Sequence, residues 1–363
     1  MLSVVAVLAA LSIPLLTWPR WHSNINVSVR EVPLHIMVIF GLMLVALAVW
    51  SHSRPLSLFI LYACISSLFT HTYLAFATTF WIAMGIVFFI LIQYLPHKYH
   101  SIVVFIITIS VILEVLYTLS QAFQHDILFF GWKKTPQVFI HGTFGHHNFL
   151  GAYLAMASGV ILWWALPFVF IGLWLANSLL SFAAFFVVLS LRAGRYVKKR
   201  VSKDWFNCLF MCYSVSVSLF IWWFFQLKSH DSFWSRLDAW STAWRLTTFK
   251  TLIFGHGPGT WFVKIPQDQA LRGWPEVFYQ AHNEYIQLAF EFGLIGFIFL
   301  IWFVWENRSM FKYPYVVAIA ISSLGIYTFH LASIASLGIV LLALATSKGE
   351  KDKCIEGSWR YYC

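Results

Sequence analysis

One histidine of this sequence sits where a general base could work. His282 precedes the apolar run of AHNEYIQLAFEFGLIG, and Asn283 is placed to cap the helix that this run predicts. Glu284, Gln287 and Glu291 follow at helical spacing, on turns close below the histidine. A histidine held at a helix start and flanked by acids suits proton abstraction near neutral pH, whereas a loop histidine considered alone is more often only solvated.

Two arginines lie in the polar stretch before that histidine. Arg236, Trp240 and Trp244 recur at helical spacing, which predicts a short amphipathic helix in a membrane interface, with both tryptophans toward the lipid. Arg245 follows at the end of this helix. A guanidinium group donates two parallel hydrogen bonds and stays charged, so an arginine here is suited to holding a phosphate. Binding of a lipid headgroup by an interfacial arginine is the alternative.

A glycine-rich turn, GHGPGTW, separates the arginines from the histidine. Its three glycines and one proline predict a constrained turn whose backbone can come close to a ligand. Gly257 and Gly259 are the candidates for such an approach, although any tight surface turn has a similar composition.

A second glycine-rich motif, GTFGHHN, precedes an apolar run earlier in the chain. Asn148 lies at the start of the predicted helix, where free backbone amides can face an anion. Three histidines of this region, His141, His146 and His147, have no cysteine or carboxylate close by in the sequence, so no metal site is predicted.

Glu114 is an isolated carboxylate inside an apolar run, with Tyr117 and Gln121 on nearly the same helix face. An acid at membrane depth is a functional candidate by default. A hydrogen-bonded structural acid is an equally good interpretation.

The composition predicts the scaffold that must position these groups. The chain is 60% apolar and 10% charged, with a mean hydropathy of +0.75, which is typical of a polytopic membrane protein. We expect an all-α bundle of about twelve transmembrane helices in contact with membrane lipids. The net charge of +10 is scattered over short connections and tails, which favours cytoplasmic loops and argues against nucleic acid as a partner.

Basic clusters set the predicted topology. RAGRYVKKRVSK is expected in the cytoplasm, which puts the following long polar loop outside and the tail inside. The count of twelve spans requires three crossings between residues 148 and 198, with a tight turn near Asn177 and Ser178. The predicted segments are N-terminal transmembrane helices at 1–121, a central transmembrane region at 122–227, a large periplasmic loop at 228–283, C-terminal transmembrane helices at 284–346, and a cytoplasmic tail at 347–363. The first predicted crossing lies at residues 2–18, and one of the C-terminal crossings at 313–329.

Five motifs in order resemble the bacterial O-antigen ligase and polymerase family, which includes protein O-oligosaccharyltransferases: GTFGHHNFLGAYLA, LSLRAG, SRLDAW, GHGPGTW and AHNEYIQLAFEFGLIG. The last motif is the most specific and LSLRAG the least, and the resemblance covers roughly residues 121–301. It implies a GT-C-like bundle with a large periplasmic loop in the bacterial inner membrane. It also implies inverting transfer of a glycan from an undecaprenyl-pyrophosphate carrier to a hydroxyl of lipid A-core, a glycan or a protein, without metal or other cofactor.

The resemblance also implies roles for single residues. His282 matches the catalytic histidine of the family, Arg236 its pyrophosphate-binding loop arginine, and Arg192 a second arginine. The sequence departs from the family pattern at Leu191, where a serine is usual, and in the basic residues that follow Arg192 closely, so Arg245 is an alternative second arginine. The remaining candidates for substrate contact are Asn148, Asn283, Glu284, Gly257 and Gly259.

Two other classes of function are compatible with the composition. A transporter or flippase for a lipid-linked glycan is expected to carry several ionisable residues at membrane depth and an internal repeat, and this sequence offers Glu114 and no evident repeat. A scaffold without catalytic activity is the third possibility.

Overall fold

The computed structural model describes residues 32–70, 72–124, 140–198, 200–226, 231–274 and 277–347. Within these ranges the regular elements are helices and no strand occurs, which confirms the predicted all-α class. The predicted first crossing at residues 2–18 and the tail at 348–363 lie outside the described residues.

The α-helices follow one another with short connections. In chain order they are α1 Val32–Val49, α2 Arg54–Thr70, α3 Tyr73–Gln93, α4 His100–Ala122, α5 His147–Ala157, α6 Leu166–Ala176, α7 Leu179–Val197, α8 Lys203–Gln226, α9 Asp231–Leu246, α10 Phe249–Phe254, α11 Trp261–Leu271, α12 Glu284–Glu306, α13 Pro314–Ser322 and α14 Ala332–Thr346.

The described chain folds into two compact units that alternate along the sequence. The first unit takes residues 92–226 and 309–347, and the second takes 32–91 and 231–308. In the first unit α5 is buried along its length and packs against α6, α7, α13 and α14. In the second unit α2 packs on α1 and α12, α10 packs on α12, and α9 packs on α11.

Four helical segments of the described chain are long and apolar enough to cross a membrane: Leu74–Gln93, His97–Ala122, Leu179–Val197 and Glu284–Glu306. The predicted tight turn near Asn177 is confirmed, since this residue ends α6 in the left-handed conformation, with φ of 50°. The count of about twelve spans is not confirmed. Helices α5 and α6 have 11 residues each, and at about 1.5 Å per residue they are short of a hydrocarbon core of roughly 30 Å.

One predicted crossing, at residues 313–329, is wrong. Helix α13 ends after nine residues, and turns follow as far as the start of α14. The Ser323 hydroxyl donates to the Thr328 hydroxyl across these turns at 3.0 Å. Hydropathy does not detect such a break, because Leu324, Ile326 and Phe329 keep the turn segment apolar on average.

Helix α12 is broken at Gly293, where φ is 58° and ψ is −164°, a conformation that is essentially limited to glycine. The break leaves backbone carbonyls to be satisfied from elsewhere. The carbonyl of Phe290 accepts from the His256 N–H, and that of Glu291 accepts from the Gly257 N–H, both at 2.9 Å. A Cβ on Gly255 would lie 2.7 Å from the Gly293 nitrogen, so the two backbones approach as closely as two glycines allow.

We expect Gly255→Ala and Gly293→Ala each to lower the melting temperature of the purified protein markedly. Each substitution places a Cβ on a residue with a positive φ, a strain that costs about 1–3 kcal/mol. The added Cβ also overlaps backbone atoms of the other segment, which cannot shift without disturbing their hydrogen bonds. Gly41→Ala is the matched control, because nothing lies within 4 Å of its Cβ position. Equal melting temperatures for all three variants would contradict the close packing of these two segments.

Candidate functional site

His282 lies in the short connection that leads into α12. It is half-buried and has a φ of 50°, in the left-handed region that residues other than glycine rarely adopt. Its ring packs edge to face on Phe278, with 5.8 Å between ring centroids. The predicted cap is confirmed: Asn283 begins α12, and its side chain accepts the Ile286 N–H at 3.1 Å.

The peptide groups on both sides of Ala281 are fixed, and this holds the backbone entering His282. The Ala281 N–H donates to Oε1 of Gln287 at 3.0 Å. The Ala281 carbonyl accepts from the Trp240 indole nitrogen at 2.7 Å. One contact comes from α12 and the other from α9, so two helices together impose the conformation of this connection.

Helix α9 brings Arg236 to this part of the second unit. Arg236 is half-buried and lies one turn before Trp240, on the same helix face. The helix packs into a core of small, aliphatic and aromatic side chains: Ala239, Ala243, Trp261, Ile265, Ala281 and Phe290. The contact between Trp240 and Ala281 therefore fixes α9 against the His282 connection at a point one turn after Arg236.

The prediction that both tryptophans of α9 face lipid is wrong for Trp240. Trp240 packs against this core and donates to Ala281, whereas Trp244 is 76% exposed. Helical spacing identifies a shared face but does not say what covers that face.

Arg245 makes an ion pair with Asp268 at 2.7 Å, and Arg272 pairs with the same carboxylate oxygen at 2.9 Å. Nine residues separate Arg245 from Arg236, which is about 13 Å along the axis and half a turn around it. These positions argue against Arg245 sharing one pyrophosphate with Arg236.

The predicted constrained turn is confirmed, since Gly255, Gly257 and Gly259 all have positive φ angles, of 70°, 105° and 68°. Gly257 and Gly259 are buried by protein. A Cβ on Gly257 would overlap the Thr70 hydroxyl, and one on Gly259 would lie 2.6 Å from the Thr78 hydroxyl. Their contacts in the structure are thus with α2 and α3, and a contact with substrate stays a prediction.

A row of polar side chains on α12 links the glycine turn to the His282 connection. This polar row consists of Glu284, Gln287 and Glu291, which are 2%, 1% and 0% exposed. Oε2 of Glu291 accepts the Gly259 N–H at 2.8 Å, and Oε1 accepts from Gln287 Nε2 at 3.3 Å. The sequence indicated Glu284 and Glu291 as acids near a base. In the structure Glu291 accepts a hydrogen bond from the glycine turn, and Gln287 accepts one from the connection that leads into His282.

His256, inside the glycine turn, is stacked on Phe290 with 4.0 Å between ring centroids. Its two ring nitrogens lie near the carbonyls of Phe290 and Leu246, at 3.3 and 3.2 Å. Burial lowers the pKa of His256, and the positive charge of Lys264 adds to this effect. A neutral imidazole has one N–H and donates to one of these two carbonyls, so near pH 7 the ring links the turn to Leu246 of α9 or to Phe290 of α12.

In the first unit, a polar face of α4 holds the GTFG motif. Both oxygens of Glu114 accept from Thr143, from its N–H at 2.7 Å and its hydroxyl at 2.9 Å. Gln121 accepts the Gly142 N–H at 2.8 Å. Of the two interpretations of Glu114, these contacts support the structural acid. The Asn148 N–H donates to Nδ1 of His146, which caps α5, so that this amide already has an acceptor.

Arg192 also belongs to the first unit, where its guanidinium lies at the end of α5. It donates to the carbonyls of Ser158 and of Ile161, the latter at 2.9 Å, and stacks over the Trp163 ring at 4.4 Å. An arginine at the end of a helix satisfies carbonyls that have no partner within the helix. The structure thus gives Arg192 protein partners, and its role toward a phosphate stays a prediction.

No group of three or more histidine, cysteine or carboxylate side chains converges as metal ligands within the described residues. Comparison with known families matches residues 149–301 to the family described as O-antigen ligase. This span contains Arg192, Arg236, the glycine turn and His282, and it confirms the resemblance that the motifs indicated. A search of curated proteins found no match.

We expect the stability of the protein to fall more steeply with decreasing pH than that of His256→Gln. Because the folded-state pKa of His256 lies below its unfolded value of about 6.5, the unfolded chain binds more protons below that pH. The contribution of neutral His256 to the free energy of unfolding is present at pH 7.5, and it is lost as the pH falls from about 6.5 toward the folded-state pKa. Thermal unfolding between pH 7.5 and 5.5 measures it, with the exposed His52→Gln as control. Parallel curves for wild type and His256→Gln would exclude this linkage.

Proposed function

Because residues 149–301 match the family described as O-antigen ligase, we propose that the protein is a glycosyltransferase which moves a glycan from an undecaprenyl-pyrophosphate donor to an acceptor hydroxyl. The observation that carries this proposal is the position of His282, held in a left-handed conformation at the start of α12, directly after the residue that α9 contacts through Trp240, one turn from Arg236. Both groups stand in one unit, on backbone that two helices fix. Such preorganisation is what catalysis requires of a base and a cation.

The reaction needs one base and a cationic group that stabilises the negative charge on the departing pyrophosphate. His282 takes the proton of the acceptor hydroxyl as its oxygen attacks the anomeric carbon of the glycan. The bond from that carbon to the pyrophosphate oxygen breaks, and undecaprenyl pyrophosphate departs with the electron pair. Attack opposite the leaving group inverts the anomeric configuration. Pyrophosphate is a good leaving group, so no general acid is required.

Arg236 stabilises the charge that develops on the departing pyrophosphate. Its planar guanidinium donates two hydrogen bonds to neighbouring phosphate oxygens, and these bonds strengthen as negative charge builds up in the transition state. In this proposal Arg236 is the principal phosphate ligand. Asn283, Glu284, Gly257 and Gly259 of the same unit are the further candidates for contact with substrate. A phosphate-binding role for Arg192 and a substrate contact for Asn148, both in the first unit, stay separate predictions.

The topology that fits this chemistry is an inner-membrane protein whose active site faces the periplasm. Residues 228–283 form a periplasmic loop, and the basic residues 198–203 face the cytoplasm. Candidate membrane spans on α3, α4, α7 and α12 support the membrane location. The donor is then reached from the periplasm, and the acceptor is lipid A-core, a growing glycan or a protein, which correspond to ligase, polymerase and protein transferase activity.

Transport of a lipid-linked glycan is the main alternative, and the buried acids favour the enzyme. Glu114 and Glu291 both accept backbone N–H groups from glycine-containing loops of their own unit. Acids used in this way hold loops in place, whereas a transport pathway uses intramembrane acids as sites for ions or substrate.

We expect His282→Ala to lower glycan transfer by roughly 10² to 10⁴, the contribution of a general base, while donor binding persists. His282→Gly should be equally inactive but at least as stable as the wild type, because glycine accepts a φ of 50° without strain. Turnover and thermal unfolding are measured on the same samples. Turnover near the wild-type rate in either variant would remove His282 from the mechanism.

We expect Arg236→Lys to lose donor affinity and turnover nearly as fully as Arg236→Ala, because an ammonium group cannot reproduce the two parallel hydrogen bonds of a guanidinium. Donor affinity and initial rates measure the effect. Arg272→Lys, in an ion pair of the same unit, is the matched control and should remain close to wild type. If Arg236→Lys behaved like that control, Arg236 would be a headgroup anchor.

A further inference from the structure

Gln287 and Glu291 form the middle of a continuous hydrogen-bond chain in the second unit. The chain runs from the Gly259 N–H to Glu291 at 2.8 Å, and Gln287 donates to Glu291 at 3.3 Å. Gln287 also donates to Oε1 of Gln280 at 2.6 Å, and it accepts the Ala281 N–H at 3.0 Å. One chain of side chains therefore joins the glycine turn to the residue that precedes His282.

The direction of this chain is fixed by its two ends. A backbone N–H can only donate, so the amide oxygen of Gln287 must face Ala281 and its amide nitrogen must face Glu291. Glu291 must in turn present acceptors on both sides, because Gly259 also donates to it. Turning the Gln287 amide over would set its nitrogen against the Ala281 N–H and its oxygen against a carboxylate oxygen.

Burial makes this orientation costly to disturb. The side chains of Gln287 and Glu291 are 1% and 0% exposed, so a lost partner is not replaced by bulk water. The Ala281 N–H is the group at the end of the chain, and the next residue is held at a φ of 50°. When that N–H loses its acceptor, the strained conformation of His282 loses one of the restraints that maintain it.

We propose that Gln287 and Glu291 are positioning residues for His282, and that their fixed hydrogen-bond direction couples the glycine turn to the catalytic connection. They act through the Ala281 peptide and not on substrate. The inference rests on the proposed role of His282. Displacement of a catalytic group by about 1 Å lowers a rate by about 100-fold, so a loosened connection is expected to show mainly in kcat.

Two single substitutions reverse part of the chain. Glu291→Gln sets an amide nitrogen against the nitrogen of Gln287, or, if it turns, against the Gly259 N–H. Gln287→Glu sets two carboxylates against one another in a buried position. Each change preserves size and leaves the backbone untouched.

The double substitution Gln287→Glu with Glu291→Gln restores the whole chain with its polarity exchanged. The carboxylate at 287 accepts the Ala281 N–H and the amide nitrogen of the new glutamine, whose oxygen accepts the Gly259 N–H. Gln280 turns its amide over to donate to the carboxylate. The number of charges is unchanged, so recovery in the double variant reports the hydrogen-bond direction and not the charge.

The experiment compares kcat, donor KM and melting temperature for wild type, both single variants and the double variant. We expect each single variant to lose about 10- to 100-fold in kcat, with a smaller change in donor KM, and the double variant to recover most of that loss. Gln280→Leu, which removes one acceptor and leaves the Ala281 and Glu291 contacts, is the matched control and should stay within a few-fold of wild type. Losses that multiply in the double variant, or single variants with wild-type kcat, would overturn the proposal.

A second readout does not depend on glycan transfer. The rate at which diethyl pyrocarbonate modifies His282, followed by mass spectrometry, should change in both single variants and return in the double variant. If the wild type transfers no glycan but the modification rates follow this pattern, the proposed function fails and the positioning chain stands. If the single variants do not fold, folding of the double variant supports the coupling, and its failure to fold contradicts it.

Discussion

The buried carboxylate of Glu291 is the interaction on which the second unit depends most. It lies two residues before the break in α12 and is fully buried, and its two oxygens accept hydrogen bonds from the glycine turn and from Gln287. The backbone carbonyl of the same residue accepts the Gly257 N–H. Glu291 thus binds the glycine turn to α12 through both its main chain and its side chain. Through Gln287 it is also linked to Ala281, the residue before His282.

The first unit uses the same device at another place. Glu114 is buried on α4 and accepts both the N–H and the hydroxyl of Thr143, while Gln121 accepts the Gly142 N–H one loop residue earlier. In both units a buried acid accepts a backbone N–H from a loop that contains a glycine with a positive φ. A carboxylate that accepts several donors is a strong anchor where water is excluded, because its charge strengthens each hydrogen bond. This explains why intramembrane acids in this chain need not serve transport.

The sequence predicts the features that local chemistry decides. The cap at Asn283, the constrained turn of GHGPGTW and the turn at Asn177 follow from residue types whose preferences act over a few bonds. The order of the motifs indicated the same family whose model matches residues 149–301. Hydropathy correctly places the long helices but misses the end of α13, where leucine, isoleucine and phenylalanine keep the turn segment apolar on average.

Features that depend on a partner far along the chain are not predictable in this way. The inward position of Trp240, the ion pair of Arg245 with Asp268 and the carbonyl contacts of Arg192 are decided by segments 20 to 40 residues away. The break in α12 is another example, since an isolated glycine in an apolar run indicates neither a kink nor the turn that packs into it. Gln287 gave no signal beyond its helical spacing, and its role follows only from the contacts of its two amide atoms.

The central claim, that this chain transfers glycan, is tested most directly with the purified protein in liposomes that contain an undecaprenyl-pyrophosphate-linked glycan, with an acceptor outside. Released undecaprenyl pyrophosphate and glycosylated acceptor are measured together. The account predicts that they appear in equal amounts without added metal and that both are lost in His282→Gly. Movement of the intact donor across the bilayer, without release of undecaprenyl pyrophosphate, would contradict it.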